Sequence, residues 1–188
     1  MKVLVTGSNG QLGSEIKGLA NNYKKLNLVF KDFYDLDIRN FNQLQSFITI
    51  NNINCAAYTA VDEAEKNAET ALDVNSKGVL NLVNALKSVN GKLIHISTDY
   101  VFNGDHFMPY NESDSVSPIG VYGETKRNGE LAVINSTLDA IVIRTSWLYS
   151  SYGNNFVKTM LRLGKQKKEL GVIFDQVGTP TYARDLAK

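Results

Sequence analysis

Cysteine is nearly absent from this sequence: Cys55 stands alone, so no disulfide can form within the chain. It lies in an apolar run, which reads as a buried thiol in a reducing compartment rather than as a reactive nucleophile. Long hydrophobic runs are absent too. Between Lys2 and Gly7 stand only Val3, Leu4, Val5 and Thr6, too few for the apolar region of a signal peptide. No later run approaches the roughly 20 residues that a membrane-spanning helix needs. An excess of one charge is missing as well. Lys plus Arg number 20 and Asp plus Glu 19, a net charge of +1, with no block of like sign. Neither nucleic acid nor a membrane is called for as a partner, and a cytoplasmic protein is expected. Internal repeats and low-complexity segments are also lacking.

What is present is ordinary for a folded protein. Apolar residues make up 43% and charged residues 21% of 188 positions, enough for a core in one domain, or one domain and part of another. Strand and helix signals alternate. Lys2 to Thr6 suits a buried parallel strand, Ser14 to Asn22 a short helix, and Leu26 to Phe30 a second strand. Asn40 can cap a helix whose Phe41, Leu44, Phe47 and Ile48 share a face. Ile53 to Tyr58 is a third buried run, and helical spacing extends from Val61 to Val89 with an interruption near Asp73 to Asn75. Leu93 to Ser97 and Ala140 to Ser146 read as strands flanking a helix from Tyr122 to Asn135. Asn155 to Leu163 reads as helix and Leu170 to Phe174 as strand. Such alternation predicts βαβ units, a parallel sheet and helices on both faces. Residues 102–120, rich in Asn, Asp, Ser and Pro, form a long surface loop of the kind usually kept for function.

The first strand runs into Gly7-Ser8-Asn9-Gly10-Gln11-Leu12-Gly13, a G-x-x-G-x-x-G turn that opens a helix. Glycines let the backbone turn tightly and approach a pyrophosphate without a Cβ in the way, while helix N–H groups favour its charge. The expected fold is therefore an α/β, Rossmann-like, doubly wound parallel sheet with the start of a small C-terminal substrate domain. Gly7, Gly10, Gln11, Leu12 and Gly13 would hold the cofactor. Asp32, just past the second strand, could accept hydrogen bonds from a ribose 2′-OH and favour NAD, but Lys31 could equally serve a 2′-phosphate. Asp37 and Ile38 would stand beside adenine. Small residues at Ala56-Ala57-Tyr58 would let cofactor pack close to backbone, as would simple strand packing.

Tyr122 and Lys126 are four apart on one helical face. A nearby ammonium stabilises phenolate, so the tyrosine pKa is expected to fall from about 10 towards a value suited to proton transfer. Thr98 ends a strand at the carboxyl edge where open α/β sheets bind ligands, and its hydroxyl could orient a substrate carbonyl. Y-x-x-x-K alone is a weak signal. After a glycine turn and a threonine in this order it is a strong one.

Together TGSNGQLG, AAYTAVDEAE, STDYVF, VYGETK, RTSWLY and GNNFVKTML resemble the dTDP-4-dehydrorhamnose reductases, extended short-chain dehydrogenases, over nearly the whole chain. The resemblance implies NADPH or NADH as cofactor and hydride delivery to the C4 ketone of a dTDP-linked 4-keto-6-deoxyhexose. It makes Thr98, Tyr122 and Lys126 catalytic, with Tyr122 the proton donor and Lys126 tuning it and holding the nicotinamide ribose. Thr98, Asp99, Tyr100 and Trp147 would meet the sugar, with Asn154 and Asn155 nearby. A lone tryptophan after a strand otherwise reads as core. A homodimer is compatible with the resemblance. Residues 1–147 would be the NAD(P)-binding domain and 148–188 a partial substrate-binding region, cut short after QVGTPTYARDLA.

Two further departures stand out. Relatives carry a longer apolar strand before Cys55, whereas Asn51-Asn52-Ile53-Asn54 leaves little room for one after a helix ending near Ile50, so residues are expected to be missing there. Some relatives hold a magnesium ion between glutamates; Glu15 matches one, but Arg184 replaces another and cannot ligate a cation, so no metal site is expected. Alternatives are a reductase or epimerase for another nucleotide sugar, or a non-catalytic NADP-binding regulatory subunit. An intact Thr98, Tyr122 and Lys126 argues against the last.

Overall fold

The computed structural model describes residues 1–48 and 51–188, with the side chains of 51 and 52 left aside. Its chain runs β1 (Lys2–Thr6), α1 (Gln11–Leu19), β2 (Asn27–Lys31), α2 (Phe41–Phe47), β3 (Asn51–Asn54), α3 (Val61–Lys66), α4 (Ala68–Leu72) and α5 (Gly78–Lys87). It continues with β4 (Lys92–Thr98), α6 (Val121–Ile134), β5 (Asp139–Thr145), β6 (Leu148–Tyr149), α7 (Phe156–Gly164), β7 (Thr181–Tyr182) and α8 (Ala183–Leu186). Strands β2-β1-β3-β4-β5 form a five-stranded parallel sheet, and β6 pairs with β7 in a separate two-stranded one. The order reverses between β1 and β3. That switch point opens a crevice at the carboxyl ends of the strands.

The sheet is covered on both faces, as its apolar strands require. On one side Leu4 and Val29 pack with Leu44 of α2 and Leu82 of α5, and the cluster around Val79, Leu86 and Leu93 extends this layer to Val133 of α6. On the other, Val5 packs with Leu12 and Ile16 of α1, and Leu148, Leu186 and Ala187 join the same cluster. Asn40 caps α2, its side chain accepting from the Gln43 N–H. Of that helix only Leu44 is buried; Phe47 is exposed and Ile48 lies past the end.

Several sequence expectations shift. The helical stretch from Val61 breaks at Asn67, and Asp73–Lys77 forms a π-turn that joins α4 to α5. The third strand is β3 itself. Its four residues pair in register with β1 and β4, so polar asparagines occupy the strand positions, while residues 55–60 run on outside any strand. Ile50, where the preceding helix was expected to end, lies outside the described residues. Leu170 to Phe174 is not a strand: no edge pairs with it, and Phe174 is 99% exposed. Among the described residues no helix is long and apolar enough to cross a membrane.

Candidate active site

A cleft of about 690 Å³ lies along the carboxyl edge of the sheet. At its floor the glycine turn is forced by space. Gly7 has φ +62°, and a Cβ there would stand 2.6 Å from the Ala56 nitrogen; one on Gly13 would stand 2.5 Å from the Ser8 Cα. Gly10 differs, because a Cβ on it would meet only the Gly7 carbonyl, so this flank of the turn is open. Gly10 donates to the Gly7 carbonyl at 3.1 Å, and no side chain caps α1. The first-turn N–H groups of α1 thus lack an intrahelical partner and carry the positive end of the helix dipole. Open backbone, orphan donors and no side chain in the way fit a dinucleotide pyrophosphate.

At one end of the cleft Asp32 lies partly buried, one carboxylate oxygen accepting from the Phe33 N–H at 2.9 Å. Lys31 turns away from it, its ammonium over the Phe47 ring at 4.8 Å. Asp37 also lines the cleft and is held by Arg39, whose guanidinium reaches it at 2.8 Å. Burial works against the Asp37 charge, yet Arg39 keeps the carboxyl below its usual range. Ile38 is buried beside it. Opposite, the Asn54 side chain accepts from the Ala56 N–H, and Asn75 holds both the N–H and the carbonyl of Tyr58. Ala56, Ala57 and Tyr58 are thereby fixed along the cleft wall.

Thr98 ends β4, and its hydroxyl donates to Asp99 at 3.1 Å. Tyr122, in the first turn of α6, has its ring edge-on to Tyr100 at 5.6 Å. Burial pushes the Tyr122 phenol up to about 12; the neighbouring Thr98 hydroxyl opposes this, and Asp99 adds to it. The expected lowering by Lys126 is not found. The reason is geometric: the Lys126 ammonium is buried and donates to the Ile96 carbonyl at 2.6 Å. Desolvation lowers the Lys126 pKa to about 8, against the raising effect of Glu130. Burial also raises the Asp99 carboxyl. Cys55 beside Lys126 is pushed up to about 12, so the thiol is no nucleophile near neutrality.

Across the cleft stands Trp147, in the left-handed region at φ +47°, where a bulky side chain is strained. Its indole packs on Gly178, and its carbonyl accepts from the Thr181 N–H. It is partly exposed to the cleft rather than in the core. The residues expected to bind cofactor, react or meet the sugar line this one cleft, Asn154 and Asn155 included, whereas Lys31 does not. The arrangement can hold a phenolic proton, a cation and a hydroxyl around one reacting carbonyl.

A sequence model of the RmlD substrate binding domain family matches residues 1–188. The chain belongs to that family. A dTDP-4-dehydrorhamnose reductase of Aggregatibacter actinomycetemcomitans is 43% identical over 99% of the chain, which spans 65% of that relative's length. Among solved structures, a dTDP-4-dehydrorhamnose reductase of Clostridium acetobutylicum ATCC 824 is similar at TM-score 0.95 and 46% identity, over all of this chain and 68% of that one. The reductase of Bacillus anthracis str. Ames, solved in complex with NADP, has TM-score 0.94 and 44% identity, covering 99% of this chain and 67% of that one.

Two features of this RmlD-family chain escaped the sequence reading. Asn75, in the π-turn, ties Tyr58 to the Thr125 hydroxyl, and Thr125 in turn donates to the Tyr122 carbonyl. Gln11 and Glu15 of α1 hold Asn155 and Ser150. A buried-looking Asn in a helix and a Gln inside a glycine turn were the only local signals. Arg184 stands beside Glu15 at 3.5 Å, so that position carries a guanidinium.

Proposed function

We propose that this chain carries the cofactor-binding part and the reacting residues of an NAD(P)H-dependent reductase that converts dTDP-4-dehydro-L-rhamnose to dTDP-L-rhamnose. The observation that carries this reading is the convergence of Thr98, Tyr122 and Lys126 with the glycine turn on one cleft in a family member. Gly7, Gly10 and Gly13, with the α1 amides of Gln11 and Leu12, would hold a dinucleotide pyrophosphate, Asp32 the adenosine ribose, and Asp37 and Ile38 the adenine edge. A bound reduced nicotinamide supplies hydride to the carbonyl carbon of the sugar.

The chain's own residues handle the proton. A phenol at about 12 keeps its proton at neutral pH, the form a reductive acid needs. Tyr122 gives that proton to the nascent alkoxide, and the Lys126 cation stabilises the phenolate left behind. The Thr98 hydroxyl orients the carbonyl; Asp99, Tyr100 and Trp147 contact the sugar. The division of labour falls near Trp147, with 1–147 serving the cofactor and 148–188 starting the substrate side. A soluble nucleotide sugar as substrate suits a cytoplasmic enzyme, working as a single chain or a homodimer.

The test follows reduced-nicotinamide consumption with the 4-keto sugar and, in parallel, cofactor affinity. Tyr122→Phe is expected to lose about 10² to 10⁴ in turnover while binding cofactor as before. Unchanged turnover in that variant would remove Tyr122 from its role.

A further inference from the structure

The cofactor helix and the substrate wall share a two-rung polar link. Gln11, Glu15 and Gly18 lie on one face of α1 by helical spacing, and the segment from Leu148 to Asn155 runs along it. The inner rung is buried: the Ser150 hydroxyl donates to the Glu15 carboxylate at 2.6 Å, with Glu15 1% and Ser150 4% exposed. The outer rung sits at the cleft, where the Asn155 Nδ2 donates to Gln11 Oε1 at 2.9 Å. Gln11 Nε2 also reaches the Leu148 carbonyl at 3.4 Å, and Tyr152 closes over Gly18.

Asn155 is fully employed. Its Nδ2 donates to the Ser150 carbonyl as well, and its Oδ1 accepts from the Lys158 N–H to cap α7. Between the rungs residues 151–154 are exposed and braced from within, the Tyr152 N–H donating to Ser150 Oγ and Lys158 Nζ to the Ser151 and Gly153 carbonyls. The outer rung is what ties this loop and the first turn of α7 to α1 at the cleft. Gln11 is the first residue of α1, and its own N–H is among the orphan donors of the pyrophosphate end. One residue therefore presents a backbone N–H at the anion-binding end of α1 and its side chain to the wall at Asn155.

We propose that Gln11 and Asn155 are positioning residues that couple occupancy of the cofactor turn to the order of the substrate-facing wall at residues 151–158. The coupling rests on the cofactor-binding part of the proposed function. A ligand that fixes the first turn of α1 fixes Gln11, and Gln11 then holds Asn155 and the α7 cap. The Glu15–Ser150 rung stays made in both states and acts as the fixed end.

Amide hydrogen exchange on the whole 188-residue chain, with and without NADPH and then NADH, tests this. Amides of residues 151–158 are expected to slow about fivefold or more when cofactor binds. In Asn155→Ser an oxygen still caps the Lys158 N–H but cannot reach Gln11; cofactor should bind and the slowing should disappear. Gln11→Ala removes the acceptor of Asn155 and, with cofactor bound, should lose the slowing as Asn155→Ser does. A merely structural Asn155 would raise exchange equally in free and bound protein. Equal cofactor-dependent slowing in wild type and in Asn155→Ser would overturn the coupling alone, as would binding without any slowing in the wild type. Failure of both cofactors to bind would remove the cofactor reading together with it.

Discussion

Lys126 is buried against the Ile96 carbonyl, and desolvation sets its ammonium at about 8. Tyr122, at about 12, holds its proton far above neutrality. For the proposed reduction these two positions would give an asymmetric pH profile. A group with a lowered cationic pKa loses its charge as pH rises through that value. Turnover is therefore expected to fall on a single limb above about pH 8, when Lys126 becomes neutral, with no limb from Tyr122 in the accessible range. Steady-state rates from pH 6 to 10 would show it. A flat profile across that range would detach Lys126 from stabilising the phenolate. The same pair shows where residue spacing stops informing. Y-x-x-x-K places both side chains on one helical face, but the carbonyl that captures the ammonium comes from β4, thirty residues earlier. The tyrosine pKa rises rather than falls because the phenol is buried, while the ammonium that would have lowered it is engaged by that carbonyl.

Helix α6 positions both residues, and a buried carboxylate one turn beyond Lys126 holds the helix to the sheet. Glu130 is fully buried; Arg144 of β5 grips both its oxygens at 2.8 Å, and Arg127 adds a third contact at 2.8 Å. Burial opposes the Glu130 charge, but the guanidiniums, Arg144 foremost, keep its pKa below the usual value. Its contribution is thus present above the ordinary glutamate range and lost only as pH falls through the lowered pKa. Glu130→Ala leaves two guanidiniums without their anion and is expected to cost about 3–5 kcal/mol in urea unfolding at neutral pH. An unchanged midpoint and slope would show that the network adds nothing. Elements of this kind were legible where one face repeats: β1, α5 and β4 announced themselves through apolar runs or helical spacing. The interruption expected near Asp73 to Asn75 is the π-turn at Asp73–Lys77, but the partners of Asn75, Tyr58 and Thr125, emerge only in the fold. β3 was hidden by its asparagines; Asn54 serves as a buried hydrogen-bonding residue to Thr6 and His95 rather than as an apolar one. Leu170 to Phe174 failed in the opposite sense, an apolar run with no strand beside it.

On the scale of the whole molecule, the C-terminal segment is held at its ends and free in its middle. Residues 165–169 and 171–180 are exposed and form no helix or strand. Beyond them β7 pairs with β6, Tyr182 stacks on Tyr149 at 5.2 Å, and the Ser146 hydroxyl donates to the Thr179 carbonyl at 2.6 Å. Ala183 is fully buried, and Leu186 and Ala187 join the cluster around Leu12 and Ile16. Limited trypsin should find Lys165, Lys167 and Lys168 first, because local opening there breaks few contacts. The long loop at 102–120 offers no lysine or arginine, and Lys24 and Lys25 sit in a tight turn closed by the Leu26 N–H on the Tyr23 carbonyl. The nicked protein should keep its C-terminal peptide through gel filtration and release it only in denaturant. A first cut within residues 1–147, or loss of the peptide without denaturant, would show that β7 and α8 do not anchor the segment. The anchoring matters to the site because the same contacts set Trp147. Its strained backbone is held by the Thr181 N–H and its indole rests on Gly178, so the wall of the cleft depends on a chain end distant in sequence.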